Sequence, residues 1–307
     1  MKCNLKNSTK VSRSSITEAF QRIQDEICTA LEQCDSQAKF KEDLWQRDGG
    51  GGGRTRVIRG GKAFEKGGVN FSEVHGPCTE GMKKQLQSDA DSFFATGVSI
   101  VIHPNNPNVP IIHMNIRYFE LSDGVSWFGG GIDLTPHYIE QAEAVMFHSA
   151  MKAVCDRFDA DYHTKFKAWA DDYFFIPHRD ETRGIGGIFF DHLGKDLQGN
   201  NSIFDFTCAV GNTFAPLYTK IVNAKKDLPF TPAQKEWQGL RRGRYVEFNL
   251  VHDRGTRFGL VSNGRTESIL MSLPANASWE YMHEVEPGSP EQATLNLLKK
   301  GIGWLED

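Results

Sequence analysis

Residues 97–136 read GVSIVIHPNNPNVPIIHMNIRYFELSDGVSWFGGGIDLTP, and this stretch decides the fold. Two runs within it, 97–103 and 111–118, alternate apolar and polar residues with period two, as half-buried β-strands do. The prolines and asparagines between the runs indicate a loop that reverses the chain. We therefore predict two neighbouring antiparallel strands.

The alternation places the polar side chains of this strand pair on one face. A register that pairs residue 103 near residue 111 puts Ser99 beside Asn115. The face then carries His, Asn, Arg and Ser side chains next to aromatic residues. A few polar groups among apolar ones are typical of a ligand pocket, so we interpret this face as a binding surface rather than a solvated one.

A third predicted strand, 125–135, contains three consecutive glycines shortly before Asp133. Glycines inside a strand mark a bend or the close approach of a ligand or another backbone. Thr135 and Pro136 match an N-cap followed by proline at the first helical position, which predicts a helix from about Pro136 to Phe158. Asp133 would then lie at a strand end, just before a helix.

The composition is that of a globular protein and excludes several functional classes. The 307 residues are 39% hydrophobic and 24% charged, and no apolar run approaches the ~18 residues of a membrane span. A formal charge of −4 argues against a general nucleic-acid binder. Six cysteines without a CxxC pair argue against a disulfide scaffold or a structural zinc site. We expect a cytoplasmic protein, with a mitochondrial location as the alternative because the N-terminus is basic.

Helix signals surround the predicted strands. Capping signatures occur at residues 15–18, 231–234 and 289–292, and each precedes apolar residues at helical spacing. Phe166–Tyr173 shows the same spacing, whereas residues 184–191 read as another glycine-bearing strand.

Glycine content and alternation decide the remaining segments. Residues 49–68 contain nine glycines and lack the Gly-Lys-Ser/Thr ending of a P-loop, so we predict a flexible linker or a mobile lid. Residues 245–251 alternate and predict a strand, 253–256 a turn, and Asn263-Gly264 a hairpin before a strand at 268–272. Hairpins interleaved with helices predict an α+β layered fold.

Several side chains could carry chemistry. Arg117 and Arg265 suit a carboxylate ligand, because a guanidinium fork binds carboxylate in a bidentate manner. Two strand histidines with Asp133 could form a facial iron triad. Four histidines could converge on a metal ion, although their spacing matches no compact ligand motif: His103, His113, His148 and His178.

Taken together, the motifs resemble those of one family. They are Val98-Ser99-x-x-x-His103-Pro104, His113-Met114-Asn115-Ile116-Arg117, Trp127 to Pro136, Gly49 to Arg56, His178-Arg179 before Arg183-Gly184-Ile185-Gly186-Gly187, and Tyr245 to Leu250. In this order they are similar to the oxygen-dependent coproporphyrinogen III oxidases, from about residue 15 to the C-terminus.

The resemblance implies a fold and an organisation. The fold is α+β, with a large flat antiparallel β-sheet sandwiched between layers of α-helices, a three-layer α/β/α arrangement. One domain would span residues 15–307 after a flexible extension at 1–14. The protein would be a homodimer, with the dimerisation segment at 245–281.

The resemblance also implies an activity. Two propionate groups of coproporphyrinogen III would be oxidatively decarboxylated to vinyl groups, giving protoporphyrinogen IX in haem biosynthesis. Dioxygen would be the co-substrate, yielding hydrogen peroxide and carbon dioxide, with no organic cofactor and with a divalent metal only in some members. Two alternatives remain open, namely a metal-dependent oxygenase with a His/Asp iron site and a non-catalytic tetrapyrrole-binding protein.

Roles for individual positions follow from the same resemblance. His113 corresponds to the proton donor, and the metal-ligand positions are the four histidines named above. The positions that correspond to substrate-binding residues are Ser99, Asn115, Ile116, Arg117, Asn263, Gly264 and Arg265. Our own hypothesis makes Asp133 catalytic, as an acceptor of pyrrole N–H hydrogen bonds that stabilises a charged intermediate.

Overall fold

The computed structural model describes residues 11–194, 201–261 and 264–305. Within these ranges the strands are β1 (Lys41–Gln46), β2 (Gly51–Arg59), β3 (Phe64–Pro77), β4 (Ser92–Pro104), β5 (Ile111–Leu121), β6 (Ser126–Thr135), β7 (Phe175–Ile176), β8 (Glu181–Thr182) and β9 (Gly186–Leu193). The helices are α1 (Arg13–Asp35), α2 (Glu80–Leu86), α3 (Gln141–Asp156), α4 (Tyr162–Tyr173), α5 (Asn201–Lys225), α6 (Pro232–Glu247), α7 (Arg254–Val261), α8 (Thr266–Leu270) and α9 (Pro290–Leu297). A π-helical turn, Phe248–His252, joins α6 to the segment before α7.

In the described part of the chain, the main sheet has seven antiparallel strands in the order β1-β2-β3-β4-β5-β6-β9. The predicted register of β4 and β5 is confirmed, because Ser99 pairs with Asn115 and Val101 with His113. On β6, Asp133 pairs with His113. Direct pairing in the ladder puts these side chains on one face of the sheet, hereafter the polar face.

The opposite face of the sheet forms the hydrophobic core. Ile100, Met114 and Ile132 alternate with the polar residues and are fully buried there, in one cluster with Phe20 of α1 and Phe214 of α5. Helices α1 and α5 pack against strands β3 to β6. The period-two pattern therefore separates an apolar face, covered by helices, from the polar one.

Helices from the C-terminal half cover part of the polar face. Tyr245 of α6 packs on Val101, and Phe248 of the π-helical turn packs in a cluster with Phe189 of β9. Ser268 of α8 hydrogen-bonds to Thr55 of β2 at 2.8 Å. The sheet thus lies between helices on its two faces, and the predicted α+β class is confirmed.

Two predicted helix starts were wrong. Helix α1 begins at Arg13, because the hydroxyl of Ser12, and not that of Ser15, caps it by accepting from the Ser15 amide. The helix expected from Pro136 is α3, which begins at Gln141. Thr135 is still paired with Ile111 in the sheet, so the Thr-Pro pair ends a strand instead of starting a helix.

The flexible linker or lid predicted for residues 49–68 was also wrong. Most of this segment lies in β2 and β3, which pair over nine residues from Gly51 to Arg59. The glycines allow close packing: a Cβ at Gly53 would lie 2.2 Å from the Trp45 ring, and Gly51 has φ 82°. Gly51 to Gly53 are therefore part of strand β2, and the Trp45 side chain covers the strand at Gly53.

The strand and turn predicted for residues 245–256 are helical in the structure. Tyr245 lies in α6, and residues 248–252 form the π-helical turn. Asp253 caps α7, since its carboxylate accepts from the Thr256 amide at 2.7 Å. The strand predicted at 268–272 is wrong as well, because Ser268 to Leu270 lie in α8. The proposed hairpin residue Asn263 lies outside the described residues.

Other sequence predictions agree with the structure. Thr231 and Gln234 form a reciprocal capping box on α6, and Ser289 caps α9. The glycine-bearing strand is β9. The flexible extension predicted at 1–14 is too long, in contrast, because Arg13 and Ser14 belong to α1. Of the helices that the structure describes, none is both long and apolar enough to cross a membrane.

Candidate active site

His113 and Asp133 form the centre of the polar face. The distance from His113 Nδ1 to Asp133 Oδ1 is 2.7 Å, and the side chains are 20% and 1% exposed. An ionised carboxylate can only accept a hydrogen bond, so Nδ1 carries the proton and Nε2 is the free ring nitrogen. No group in the described ranges hydrogen-bonds to Nε2, so this nitrogen is available to a ligand.

Arg183 completes the pair from the other side. Its Nη2 donates to both Asp133 oxygens at 2.8 Å, and its Nη1 donates to Asn249 Oδ1 at 2.8 Å. The guanidinium is surrounded by aromatic rings whose centroids are 4.4 to 4.7 Å away, namely those of Phe174, Phe248 and Tyr245. Such contacts stabilise a cation with little access to water.

These contacts set the charge of Asp133. Burial opposes ionisation of this carboxyl group, but the positive charge of Arg183 and the hydrogen bond from His113 hold its pKa below the usual range. Asp133 is therefore ionised at neutral pH. A buried, charged carboxylate fixes the orientation and tautomer of His113.

Arg117 lies two residues along β5 from Asn115, on the same face. Its Nη1 donates to Asn115 Oδ1 at 2.8 Å, and its Nη2 is 2.9 Å from Asp191 Oδ2. A Cβ at Gly129 would lie 2.8 Å from the Arg117 Cζ, so the guanidinium needs a glycine on the neighbouring strand. One third of the Arg117 side chain remains exposed.

The other predicted substrate-binding residues divide into three groups. Ser99 lies on β4 beside Asn115, on the polar face. Ile116 points the other way, because its side chain is fully buried in the core cluster. Gly264 donates its amide to the Gly259 carbonyl at 2.8 Å, and Asn263 lies outside the described residues.

Arg265 approaches the polar face from the start of α8. It forms an ion pair with Asp43 of β1, and its Nη1 donates to Ser268 Oγ at 3.0 Å. Its guanidinium also lies 5.8 Å from the centre of the Trp45 ring. Arg265 and Arg117 therefore lie over different parts of the sheet, over β1 and β5 respectively.

The predicted metal histidines have separate environments. His103 donates from Nε2 to the Ser272 carbonyl at 2.8 Å, and burial lowers its pKa to about 3. His148 donates from Nε2 to the Ile185 carbonyl at 3.0 Å, and burial lowers its pKa to about 4. His178 lies near the surface, 2.8 Å from Glu247.

The four-histidine set does not fit a metal ion in this structure. Over residues 11–194, 201–261 and 264–305, no three His, Cys, Asp or Glu side chains are arranged to hold one. The facial triad likewise does not assemble, because the ring of His103 packs against Tyr245 while His113 pairs with Asp133. His113 is thus the one of the four that contacts the buried carboxylate.

Roles for Arg183, Asn249 and Asp191 were not among the predictions from the sequence. Arg183 is 50 residues from Asp133 in the chain, so no local spacing connects the two. The signal was present in the motif Arg183-Gly184-Ile185-Gly186-Gly187, where an arginine stands directly before a buried glycine-rich strand. Buried arginine is uncommon without a partner, and this favours a carboxylate nearby.

The geometry is consistent with the comparisons to known proteins. The family model described as coproporphyrinogen III oxidase matches residues 15–304. The chain is 45% identical to the oxygen-dependent coproporphyrinogen-III oxidase of Prochlorococcus marinus (strain NATL1A), over 96% of this chain and 92% of that protein. It is 46% identical to the chloroplastic oxygen-dependent coproporphyrinogen-III oxidase of Glycine max, over 97% of this chain and 81% of the relative. It is also 46% identical to coproporphyrinogen-III oxidase 1, chloroplastic, of Arabidopsis thaliana, over 96% of this chain and 81% of the relative. The chain belongs to the coproporphyrinogen III oxidase family.

Proposed function

We propose that this protein is an oxygen-dependent coproporphyrinogen III oxidase. Each propionate arm loses its carboxylate as carbon dioxide and a hydride equivalent from the carbon next to the ring, which leaves a vinyl group. Dioxygen takes up the two electrons and, with two protons, becomes hydrogen peroxide. The names of the relatives support dioxygen as the co-substrate, and the buried Arg183–Asp133–His113 chain on the polar face carries the proposal.

Substrate binding is assigned to the polar face. A porphyrinogen is an apolar ring with several carboxylates, so it needs apolar walls and a few placed cations. Arg117 and Arg265 are the arginines proposed for these carboxylates, and each keeps guanidinium N–H donors beyond those used by its protein partners. Ser99 and Asn115, which are paired with each other on β4 and β5, offer hydrogen bonds to the polar edge of the substrate.

Proton handling is assigned to His113. Its free Nε2 would exchange a proton with the substrate or with reduced dioxygen, as general acid–base catalysis requires. Asp133 acts through His113, because its oxygens already accept from Arg183 and His113 and its side chain is 1% exposed. We favour this role over our hypothesis of a direct pyrrole contact, because a carboxylate that is 1% exposed offers little access to a ligand.

We also propose that the protein is a homodimer. The segment 245–281 and its surroundings expose large apolar side chains: Val261 is 84% exposed, Tyr281 92% and Met282 74%. Large apolar side chains left exposed to this degree favour an association surface. Light scattering should give twice the 34.5 kDa mass of one chain, and a monomer mass at micromolar concentration would contradict the proposal. The single domain and the cytoplasmic location stay predictions.

The decisive experiment is dioxygen uptake with coproporphyrinogen III, on protein whose metal content has been measured. We expect one dioxygen consumed and one carbon dioxide released per vinyl group formed. His113→Asn should lower kcat about 10²- to 10⁴-fold, the range for loss of a general acid–base group. The matched control is His75→Asn, an exposed histidine on β3, which should retain the wild-type rate.

Each alternative function gives a different result in the same assay. An iron oxygenase would contain stoichiometric iron, and its activity would be restored by Fe(II) after removal of the metal. A tetrapyrrole carrier would bind the substrate without consuming dioxygen. A His113→Asn variant with an unchanged rate would contradict the assignment of proton handling to this residue.

A further inference from the structure

Two cations face each other across strands β2 and β3. Arg59 and Lys66 are directly paired in the ladder, and both lie on the polar face. Like charges directly opposite each other destabilise an antiparallel pair. Among the described residues no carboxylate bridges them: Glu65, the neighbour of Lys66, is paired with Arg242, and the Lys66 ammonium donates to the Leu273 carbonyl at 2.6 Å.

The pair borders a cavity between the sheet and α8. The cavity has a volume of about 210 Å³, with Thr55 at the sheet side and Met271 on the helix side. Three cationic side chains line it, against two carboxylates, of which Asp43 is already paired with Arg265. One positive charge is thus left without a partner in the lining. The pKa of Lys66 is lowered by burial and by the charge of Arg59, and the charge of Glu267 opposes this shift only in part.

A row of polar side chains connects this cavity to the candidate active site. Thr55, Asn70, Ser99 and Asn115 are paired with one another on the four adjacent strands β2 to β5, and Thr55 donates to Asn70 Oδ1 at 2.6 Å. Adjacent strands are about 4.8 Å apart and residues rise about 3.4 Å, so Lys66 lies about 12 Å from His113 along the sheet. A single tetrapyrrole could therefore contact both places.

We propose that Arg59 and Lys66 form a carboxylate subsite that holds a propionate arm of the tetrapyrrole, one that is not being decarboxylated. This inference rests on the proposed function. The cavity is smaller than the about 300–1,000 Å³ of a pocket for a whole ligand, so it suits a side arm and not the ring. A carboxylate between the two cations would remove their repulsion and accept charge-assisted hydrogen bonds from both.

The test uses Arg59→Gln and coproporphyrin, the oxidised tetrapyrrole, whose binding can be measured without turnover. We expect the dissociation constant for coproporphyrin, measured by fluorescence, to rise about tenfold, as for one charge-assisted hydrogen bond. KM for coproporphyrinogen III should rise similarly, with kcat within about twofold. Arg22→Gln is the matched control, because Arg22 is exposed on α1, at the opposite face of the sheet.

Stability separates a binding role from a structural one. Removing one of two facing cations should leave the melting temperature of the ligand-free Arg59→Gln protein unchanged or raise it. A lower melting temperature with unchanged coproporphyrin affinity would overturn the subsite. A second variant, Lys66→Met, should also weaken coproporphyrin binding, although it should be less stable because the Leu273 carbonyl loses its donor.

Two further outcomes are informative. The cavity could instead bind a free carboxylate, for which succinate is the probe. Succinate would then raise the melting temperature of the wild type but not of Arg59→Gln, and the two proteins would bind coproporphyrin with equal affinity. This result would overturn the assignment to the substrate arm. A wild-type protein that binds coproporphyrin through Arg59 but consumes no dioxygen would overturn the proposed function and leave the subsite standing.

Discussion

Replacing Asp133 with asparagine keeps the shape of the side chain and removes the charge on which Arg183 and His113 depend. The Arg183 and Asp133 side chains are 2% and 1% exposed, so the variant leaves a buried guanidinium without a counter-ion. Loss of one partner of a buried pair costs about 3–5 kcal/mol of unfolding free energy. The three rings around Arg183 remain and stabilise the cation, so we expect the loss of unfolding free energy to lie near the lower end of this range.

The catalytic effect of Asp133→Asn follows from the tautomer of His113. An amide oxygen turned toward Arg183 leaves the amide NH₂ facing His113 Nδ1, which must then become an acceptor and move its proton to Nε2. Nε2, which we propose exchanges a proton with the substrate, would then already be protonated and could not accept a proton. We expect kcat to fall about 10²- to 10⁴-fold, in dioxygen-uptake assays, with a much smaller change in KM.

A double variant distinguishes lost catalysis from lost stability. Asp133→Asn combined with Arg183→Met removes both charges and places a polarisable apolar side chain in the aromatic surroundings. Urea unfolding should show it to be more stable than Asp133→Asn alone, while its kcat stays low. If Asp133→Asn kept kcat within threefold of the wild type, the acid–base role of the His113–Asp133 pair would be refuted.

Two other predictions concern substrate binding and acid stability. Gly129→Ala would bring a Cβ within 2.8 Å of the Arg117 Cζ, so the guanidinium should move away and KM should rise about tenfold in initial-rate assays. The control, Gly81→Ala on α2, should leave KM unchanged. An unchanged KM for Gly129→Ala would contradict the placement of Arg117. The folded-state pKa of His148, about 4, is below its unfolded value of about 6.5, so its contribution to stability is present above pH 6.5 and is lost as pH falls to about 4. His148→Gln should therefore reduce the acid loss over this window by up to about 3 kcal/mol, measured by urea unfolding, and parallel profiles for the two proteins would count against it.

The strands around the candidate site were predictable because their signal is local. Residues 97–136 alternate with period two, and a loop of prolines and asparagines fixes how two runs meet, so the partner of Ser99 could be predicted as Asn115. The same pattern indicates which side chains share a face. That is enough to bring Ser99, His113, Asn115 and Arg117 together.

The segments that were predicted wrongly depend on packing that composition and periodicity do not reveal. The glycines of residues 49–68 suggest mobility by composition, but Gly53 lies under the Trp45 ring within a sheet. The alternation of residues 245–251 fits a short strand equally well as a buried helix, and a short apolar run cannot distinguish the two. Tyr245 and Phe248 are both buried, as helical spacing also allows.

Arg183 could not be assigned from the sequence for a related reason. A buried charge has a meaning only when its partner is known, and the partner here lies on a strand 50 residues earlier. The same holds for Arg59 and Lys66, which are opposite each other only after the register of β2 and β3 is known. Residue types were visible in the sequence, whereas their juxtaposition was not.

The π-helical turn at Phe248–His252 has a consequence for how the buried Arg183 is held. A π-turn corresponds to one residue inserted into an α-helix. Asn249 in this turn accepts the bond from Arg183, and the chain after it carries Arg265 on α8. Removing one residue from the turn would restore α-helical spacing and move Asn249 away from Arg183, while the strands of the sheet would stay paired. One short irregularity of a helix therefore supplies the neutral partner of the buried arginine that holds Asp133.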